Sequence, residues 1–113
     1  MAAIATMDDI RAFEQTPLSS RDLPKNTFEM ISRGAANGLD RPALSFFLQA
    51  KNDAFKKPEV YSYRDLLGNI RQSANMFRSL GIGDEDEVSF VLPNLPETHF
   101  TIWGGAAAGL DIP

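Results

Sequence analysis

The residues of this chain that could take part in chemistry are few, and they lie far apart in the sequence. The glycine cluster GGAAAG occupies residues 104–109. A glycine-rich loop that cradles phosphate lies between a strand and the N-terminus of a helix, usually with Lys-Ser/Thr after it. Here the cluster ends a helical run and is followed by Leu110 and Asp111. We therefore predict that its small residues pack a helix closely against a sheet.

His99 is the only histidine of the chain and the only side chain whose ordinary pKa lies near neutrality. A general base needs a partner that orients it or shifts its pKa. Glu97 and Asp111 are the carboxylates nearest in sequence, but neither spacing implies contact with the imidazole. We expect His99 to be a surface or packing residue of an amphipathic helix.

Three further clusters are more typical of solvated surface than of a site. The acidic run at residues 84–87 lacks the D-x-D-x-D-G pattern of a calcium loop, which predicts an exposed turn. Ser19 and Ser20 do not lie in the G-x-S-x-G elbow of a serine nucleophile. The local basic cluster consists of Lys51, Lys56 and Lys57. It flanks a predicted loop, so we expect these lysines to be solvated. For the chain as a whole we assign no catalytic, cofactor-binding or metal-binding residue.

Composition limits the class of protein. A length of 113 residues fits one domain or less, and a net charge of −4 disfavours nucleic-acid binding. The absence of cysteine removes disulfides and thiolate nucleophiles, and with a single histidine it makes a structural zinc site untenable. The N-terminus lacks the basic region of a signal peptide, and no apolar run is long enough to cross a membrane. These features favour the cytoplasm.

The first half of the chain predicts an arm, a helix and a β-hairpin. Residues 1–25 form a lead-in arm with a short helix at about 8–15, and residues 26–113 form part of a domain. Asn26 followed by Glu29 resembles a capping box for the next helix, which Gly38 can end. Apolar runs at 43–49 and 59–63 predict two strands that pair with each other.

The second half begins with the clearest helical signal of the chain. Ser62 and Asp65 form an S-x-x-D capping box, and Gly81 is placed to close the helix. The apolar residues at helical spacing are Tyr63, Leu66, Leu67, Ile70, Ala74 and Phe77. The run at 88–92 then predicts a strand buried on both faces, as in a parallel sheet. A helix capped by Asn94 or Leu95, with Pro96 in its first turn, continues to about residue 108.

Residues 110–113, LDIP, are typical of the start of another strand. Alternation of strands and helices is the pattern of a doubly wound α/β sheet. We therefore predict an α/β fold: the incomplete N-terminal part of a doubly wound sheet in βαβα order, preceded by a helix and a β-hairpin.

Four segments in this order resemble the N-terminal part of the AMP-forming acyl-CoA synthetases, in the adenylate-forming superfamily. YSYRDL at 61–66 is similar to the family's aromatic-Thr/Ser-Tyr-x-Glu-Leu motif. LGIGDEDEVSFVLPN at 80–94 resembles the family's Leu-Gly-Val…Gly-Asp-x-Val stretch and its Leu-Pro-Asn. LPETHFTIWGGAAAG at 95–109 and LDIP resemble the helix and strand that follow, and DRPALSFF at 40–47 is a weaker match. Glu85 departs from the family, which has glycine before the aspartate at position 86.

The resemblance implies an enzyme that joins a carboxylic acid to coenzyme A through an acyl-adenylate, using ATP and Mg²⁺. The family's phosphate loop ending in lysine, its acidic ribose-binding motifs, its hinge and its C-terminal catalytic lysine have no counterpart in these 113 residues. The matched motifs are chiefly structural in the family. We therefore expect this chain alone to be inactive and to bind no ATP, Mg²⁺ or CoA, and we transfer no catalytic residue to it.

Two hypotheses follow. In the first, the chain is an N-terminal segment of an acyl-CoA synthetase that acts on fatty acids, with aryl acids left open, and its open sheet edge allows self-association. In the second, the chain is a stand-alone, non-catalytic α/β module that binds another protein.

Overall fold

The regular elements follow the order expected up to the middle of the chain. The computed structural model describes residues 4–49 and 53–110. Within them the elements are α1 (Met7–Glu14), α2 (Thr27–Ala35), β1 (Pro42–Phe46), β2 (Glu59–Ser62), α3 (Tyr63–Ser79) and α4 (Pro96–Ala108). Single 3₁₀ turns lie at Leu18–Ser20 and Ala54–Lys56. The structure thus combines helices with one small sheet, a mixture consistent with the α/β class.

The helix starts are set by side chains that accept backbone N–H groups otherwise left without a partner. The Asn26 side chain accepts the Glu29 N–H at 2.8 Å and begins α2. At α3 the Asp65 N–H donates to the Ser62 Oγ at 3.2 Å, while the Ser62 N–H donates to the Asp65 carboxylate at 2.9 Å. Both predicted caps are confirmed. Gly81 ends the α3 region in the left-handed conformation (φ 77°), as predicted.

β1 and β2 form the predicted antiparallel hairpin. Leu44 lies opposite Tyr61 and Phe46 lies opposite Glu59, with an irregularity after Pro42. The strands are shorter than predicted, because β1 ends at residue 46 and β2 gives way to α3 at Tyr63. The Tyr63 and Arg64 N–H groups donate to carbonyls of the segment before β1, which ties the start of α3 to the hairpin.

The core lies where α3 meets α4, α2 and the hairpin. Ile70 of α3 is completely buried, and it clusters with Leu66 and with Phe100 of α4. The Tyr61 ring packs edge-on against Phe100, with ring centroids 5.2 Å apart. Partly buried side chains complete the cluster: Phe28, Ile31, Ala43, Leu44, Tyr61, Trp103 and Ala107. The predicted apolar face of α3 is therefore the face that builds the core.

The predicted strand at residues 88–92 is wrong for this structure. These residues form no regular element, and Val91 is fully exposed. A strand exists only where a neighbouring strand accepts and donates its backbone hydrogen bonds. In the described ranges the only sheet is the β1–β2 hairpin, so no strand of the described residues pairs with this apolar run. For the same reason the doubly wound order is not seen.

The described part of the chain is extended. Its radius of gyration is 18.1 Å, compared with about 13 Å for a compact domain of this length. Helix α1 buries none of its residues. Of the predicted strand at 110–113 only Leu110 falls in the described ranges, where it is buried at the end of α4; residues 111–113 lie outside the described residues.

Candidate functional site

The glycine cluster is a packing surface. Gly104 and Gly105 are buried in α4, and a Cβ at Gly104 would lie 2.3 Å from the Ser73 Cβ of α3. Such a distance leaves no room for any side chain. The small residues therefore allow close packing, as predicted, but the partner is helix α3 and not a sheet.

The end of the same cluster closes the helix. Gly109 has φ 90°, its N–H donates to the Ala106 carbonyl, and the Leu110 N–H donates to the Gly105 carbonyl at 3.1 Å. This pair of bonds is a Schellman motif. The N–H groups of this segment are therefore engaged within the helix end, so the cluster has the wrong geometry for a phosphate cradle.

His99 lies half-buried in the first half of α4. Glu97 is exposed two residues earlier, and its backbone carbonyl accepts the Thr101 hydroxyl at 2.7 Å. Asp111, the other carboxylate considered as a partner, lies outside the described residues. The structure therefore does not bring His99 together with an orienting carboxylate among the residues it describes.

The acidic run at 84–87 is an exposed turn. The Gly83 N–H donates to the Asp86 carboxylate at 2.8 Å, and the Asp86 N–H donates back to the Gly83 carbonyl at 3.1 Å. Throughout residues 4–49 and 53–110, no three histidine, aspartate or glutamate side chains gather as metal ligands would.

The remaining clusters are held by local bonds. The Lys56 ammonium lies 3.1 Å from the Asp53 carboxylate on the exposed turn between the strands, and Lys57 is exposed beside it. Lys51 lies outside the described residues. Ser20 donates its hydroxyl to the Pro17 carbonyl at 2.8 Å within a 3₁₀ turn. This bond holds the Ser20 hydroxyl within the turn.

Tyr61 has the most strongly shifted pKa among the described groups. Its hydroxyl donates to the Glu59 carboxylate, and this bond raises the pKa of Tyr61 to about 12. Partial burial and the negative charge of Glu59 act in the same direction. A phenol held in this way stays protonated, so it serves as a hydrogen-bond donor within the hairpin and not as a base.

The structure also contains a cavity that the sequence patterns do not predict. A cavity of about 220 Å³ opens between α2, α3 and α4. Its lining residues are Phe28, Arg71, Ala74, Asn75, Arg78 and Ala107. Arg71 and Arg78 are seven residues apart, a spacing that puts them on one helix face. That spacing was visible in the sequence, but the approach of Phe28 and Ala107 depends on tertiary packing.

Comparison with known proteins shows the family to which this chain belongs. The family model of the AMP-binding enzymes matches residues 31–111. The chain belongs to this family of AMP-binding enzymes, and the resemblance to AMP-forming acyl-CoA synthetases is confirmed.

A particular relative is the marinolic acid–CoA ligase of Pseudoalteromonas sp. (strain SANK 73390). It is 29% identical to this chain over 110 residues, which cover 97% of the chain. The matched region is 16% of the relative's own length, so the chain spans about one sixth of the ligase it matches. Among the helices of the described ranges, none has both the length and the apolar character needed to cross a bilayer.

Proposed function

We propose that this chain works as the N-terminal segment of an ATP-dependent acyl-CoA synthetase. The reaction joins a carboxylic acid and CoA, converts ATP to AMP and pyrophosphate, and yields an acyl-CoA. The observation that carries this proposal is the family match across residues 31–111, most of the chain. The ligase relative, aligned along nearly the whole chain, supports it.

The chemistry of this reaction lies outside these 113 residues. ATP and Mg²⁺ need phosphate-binding N–H groups and carboxylate ligands. The glycine cluster has no space beside α3, and acidic side chains do not gather in the part of the chain that the structure describes. We therefore assign ATP, Mg²⁺ and CoA to other parts of a longer polypeptide and no catalytic residue to this segment.

The role of this segment in the enzyme is structural. Residues 1–25 act as a lead-in arm, and residues 26–113 act as the first part of the N-terminal domain. Residues 88–92 become a strand of a doubly wound sheet once a neighbouring strand is present. Their apolar sequence and the full exposure of Val91 support this role, because an apolar side chain gains about 1.5–3 kcal/mol when it becomes buried.

The acid substrate is a fatty acid, and the enzyme acts in the cytoplasm. The relative's name, which pairs an acid with CoA, supports a carboxylic acid as substrate. The sequence LPNLPETHFTIWGGAAAG at 92–109 resembles the fatty-acid branch most, with aryl acids as the alternative. The composition, without cysteine, agrees with a reducing compartment.

Two measurements test the proposal. The mass of the natural protein, captured from its source with an antibody against this segment, should be several times 12.5 kDa. Exchange of labelled pyrophosphate into ATP should depend on a fatty acid and Mg²⁺ in that protein and be absent from the 113-residue chain. A natural mass of 12.5 kDa would instead favour the stand-alone interaction module, and exchange by the short chain would contradict our placement of the chemistry.

A further inference from the structure

The cavity between α2, α3 and α4 has the composition of a small binding site. Arg71, Asn75 and Arg78 line it from one face of α3, and the Phe28 ring lines it from α2. The Arg71 guanidinium lies 5.8 Å from the centre of the Phe28 ring. Ala74 and Ala107 complete an apolar floor. Cationic donors therefore stand beside an aromatic face in one cavity.

Among the described residues the guanidinium groups of Arg71 and Arg78 contact an aromatic ring and a backbone carbonyl instead of a carboxylate. Three other arginines pair with carboxylates: Arg11 with Asp8, Arg33 with Asp22 and Glu29, and Arg64 with Asp40. No carboxylate of residues 4–49 and 53–110 forms an ion pair with Arg71 or Arg78. One Arg78 Nη donates to the Ala107 carbonyl at 3.0 Å, which fixes this guanidinium at the cavity and leaves its other donors for a ligand.

We infer that this cavity binds a small organic oxyanion, with its carboxylate or phosphate between the two guanidinium groups and an apolar ring against Phe28. Guanidinium groups bind both oxyanions through charge-assisted, bidentate hydrogen bonds. The volume of about 220 Å³ is below the roughly 300 Å³ of sites for larger ligands, so it suits one compact molecule. The inference does not depend on the proposed ligase activity.

Calorimetric titration of the natural protein with phenyl phosphate and with benzoate tests this inference. Saturating AMP keeps any nucleotide site of the protein filled. Arg71→Gln should raise the dissociation constant at least tenfold, because it removes a charge-assisted bond. The matched control Arg64→Gln, two turns away on α3, should change it less than twofold. The ligand with the lower dissociation constant shows whether the site prefers phosphate or carboxylate.

A second measurement keeps the inference testable if a variant folds poorly. Phenylglyoxal labels exposed arginines of the unsubstituted protein, and mass spectrometry of peptides reports each site. Phenyl phosphate should slow labelling of Arg71 and Arg78 and leave Arg64 unchanged. No binding heat with either ligand, equal weakening in both variants, or equal labelling with and without ligand would overturn the inference.

Discussion

Gly104 is the residue that allows α4 to lie close to α3. Gly104→Ala would place a Cβ 2.3 Å from the Ser73 Cβ, so α4 must move away from α3. We expect the free energy of unfolding to fall by about 1–3 kcal/mol, the usual cost of overpacking. The midpoint of urea unfolding measures this change.

Gly68→Ala is the matched control, since Gly68 lies inside α3 with nothing within 4 Å of its would-be Cβ. There the substitution should stabilise the protein by about 0.4–1 kcal/mol, because alanine restricts the unfolded chain. Equal effects at the two glycines would show that close packing at Gly104 is not what requires glycine.

Asp65, at the junction of β2 and α3, makes the free energy of unfolding depend on pH. The Ser62 hydroxyl and N–H both donate to its carboxylate, and they lower the pKa of Asp65 below its ordinary 3.8. The stabilisation is therefore complete above about pH 4–5 and is lost as pH falls through the folded-state pKa. We expect the stability difference between the unsubstituted protein and Asp65→Asn to be largest near neutrality and to vanish on acidification. Urea titrations from pH 7 to pH 2 measure it, and a difference that does not shrink as the pH falls would refute the assignment.

At the scale of elements, α3 organises the core through its buried face. Ile70 is completely buried between the hairpin and α4, so Ile70→Ala should reduce the free energy of unfolding by about 2–5 kcal/mol. Met76 lies on the same helix but is 46% exposed, and Met76→Ala should cost less than about 0.5 kcal/mol. Denaturant unfolding of both variants gives the comparison. A similar loss in both would mean that α3 does not pack as described.

The elements differ in how far they can be predicted from sequence. The starts of α2 and α3 depend on Asn26, Ser62 and Asp65, whose side chains act within four residues, and such local chemistry is readable without a structure. The strand predicted at residues 88–92 could not be judged in this way, since a strand forms only with a partner strand that is distant in sequence.

The candidate sites divide in the same way. The turn made by the acidic run is local, and the sequence predicted it. The surface of α3 that contacts Gly104 and the cavity beside Phe28 arise only from tertiary packing. The sequence therefore predicted a sheet, and not α3, as the partner of the glycine cluster, and it did not predict the cavity.

At the scale of the whole molecule, the extended shape leaves apolar surface open to solvent. Val91 is fully exposed and Leu92 is 49% exposed, in the segment with strand-like composition. Unpaired apolar segments of this kind promote association between chains. We therefore expect the isolated 113-residue chain to sediment with a mass above 12.5 kDa at micromolar concentration.

Val91→Lys should shift this mass towards 12.5 kDa, because a lysine at the contact opposes pairing. Ser89→Lys, which adds the same charge at an already polar position of the segment, is the control and should have a smaller effect. A monomeric unsubstituted chain would count against an open edge.

The direct passage from β2 into α3 has a consequence for how this family can vary in length. No loop separates Ser62 from Tyr63, and the first N–H groups of α3 are bound by carbonyls that precede β1. One residue inserted at this junction would rotate α3 by about 100° relative to the hairpin and turn Ile70 away from Phe100. An insertion between β1 and β2 would only lengthen a surface turn. Natural relatives should therefore differ in length between the two strands and keep the junction free of insertions and deletions.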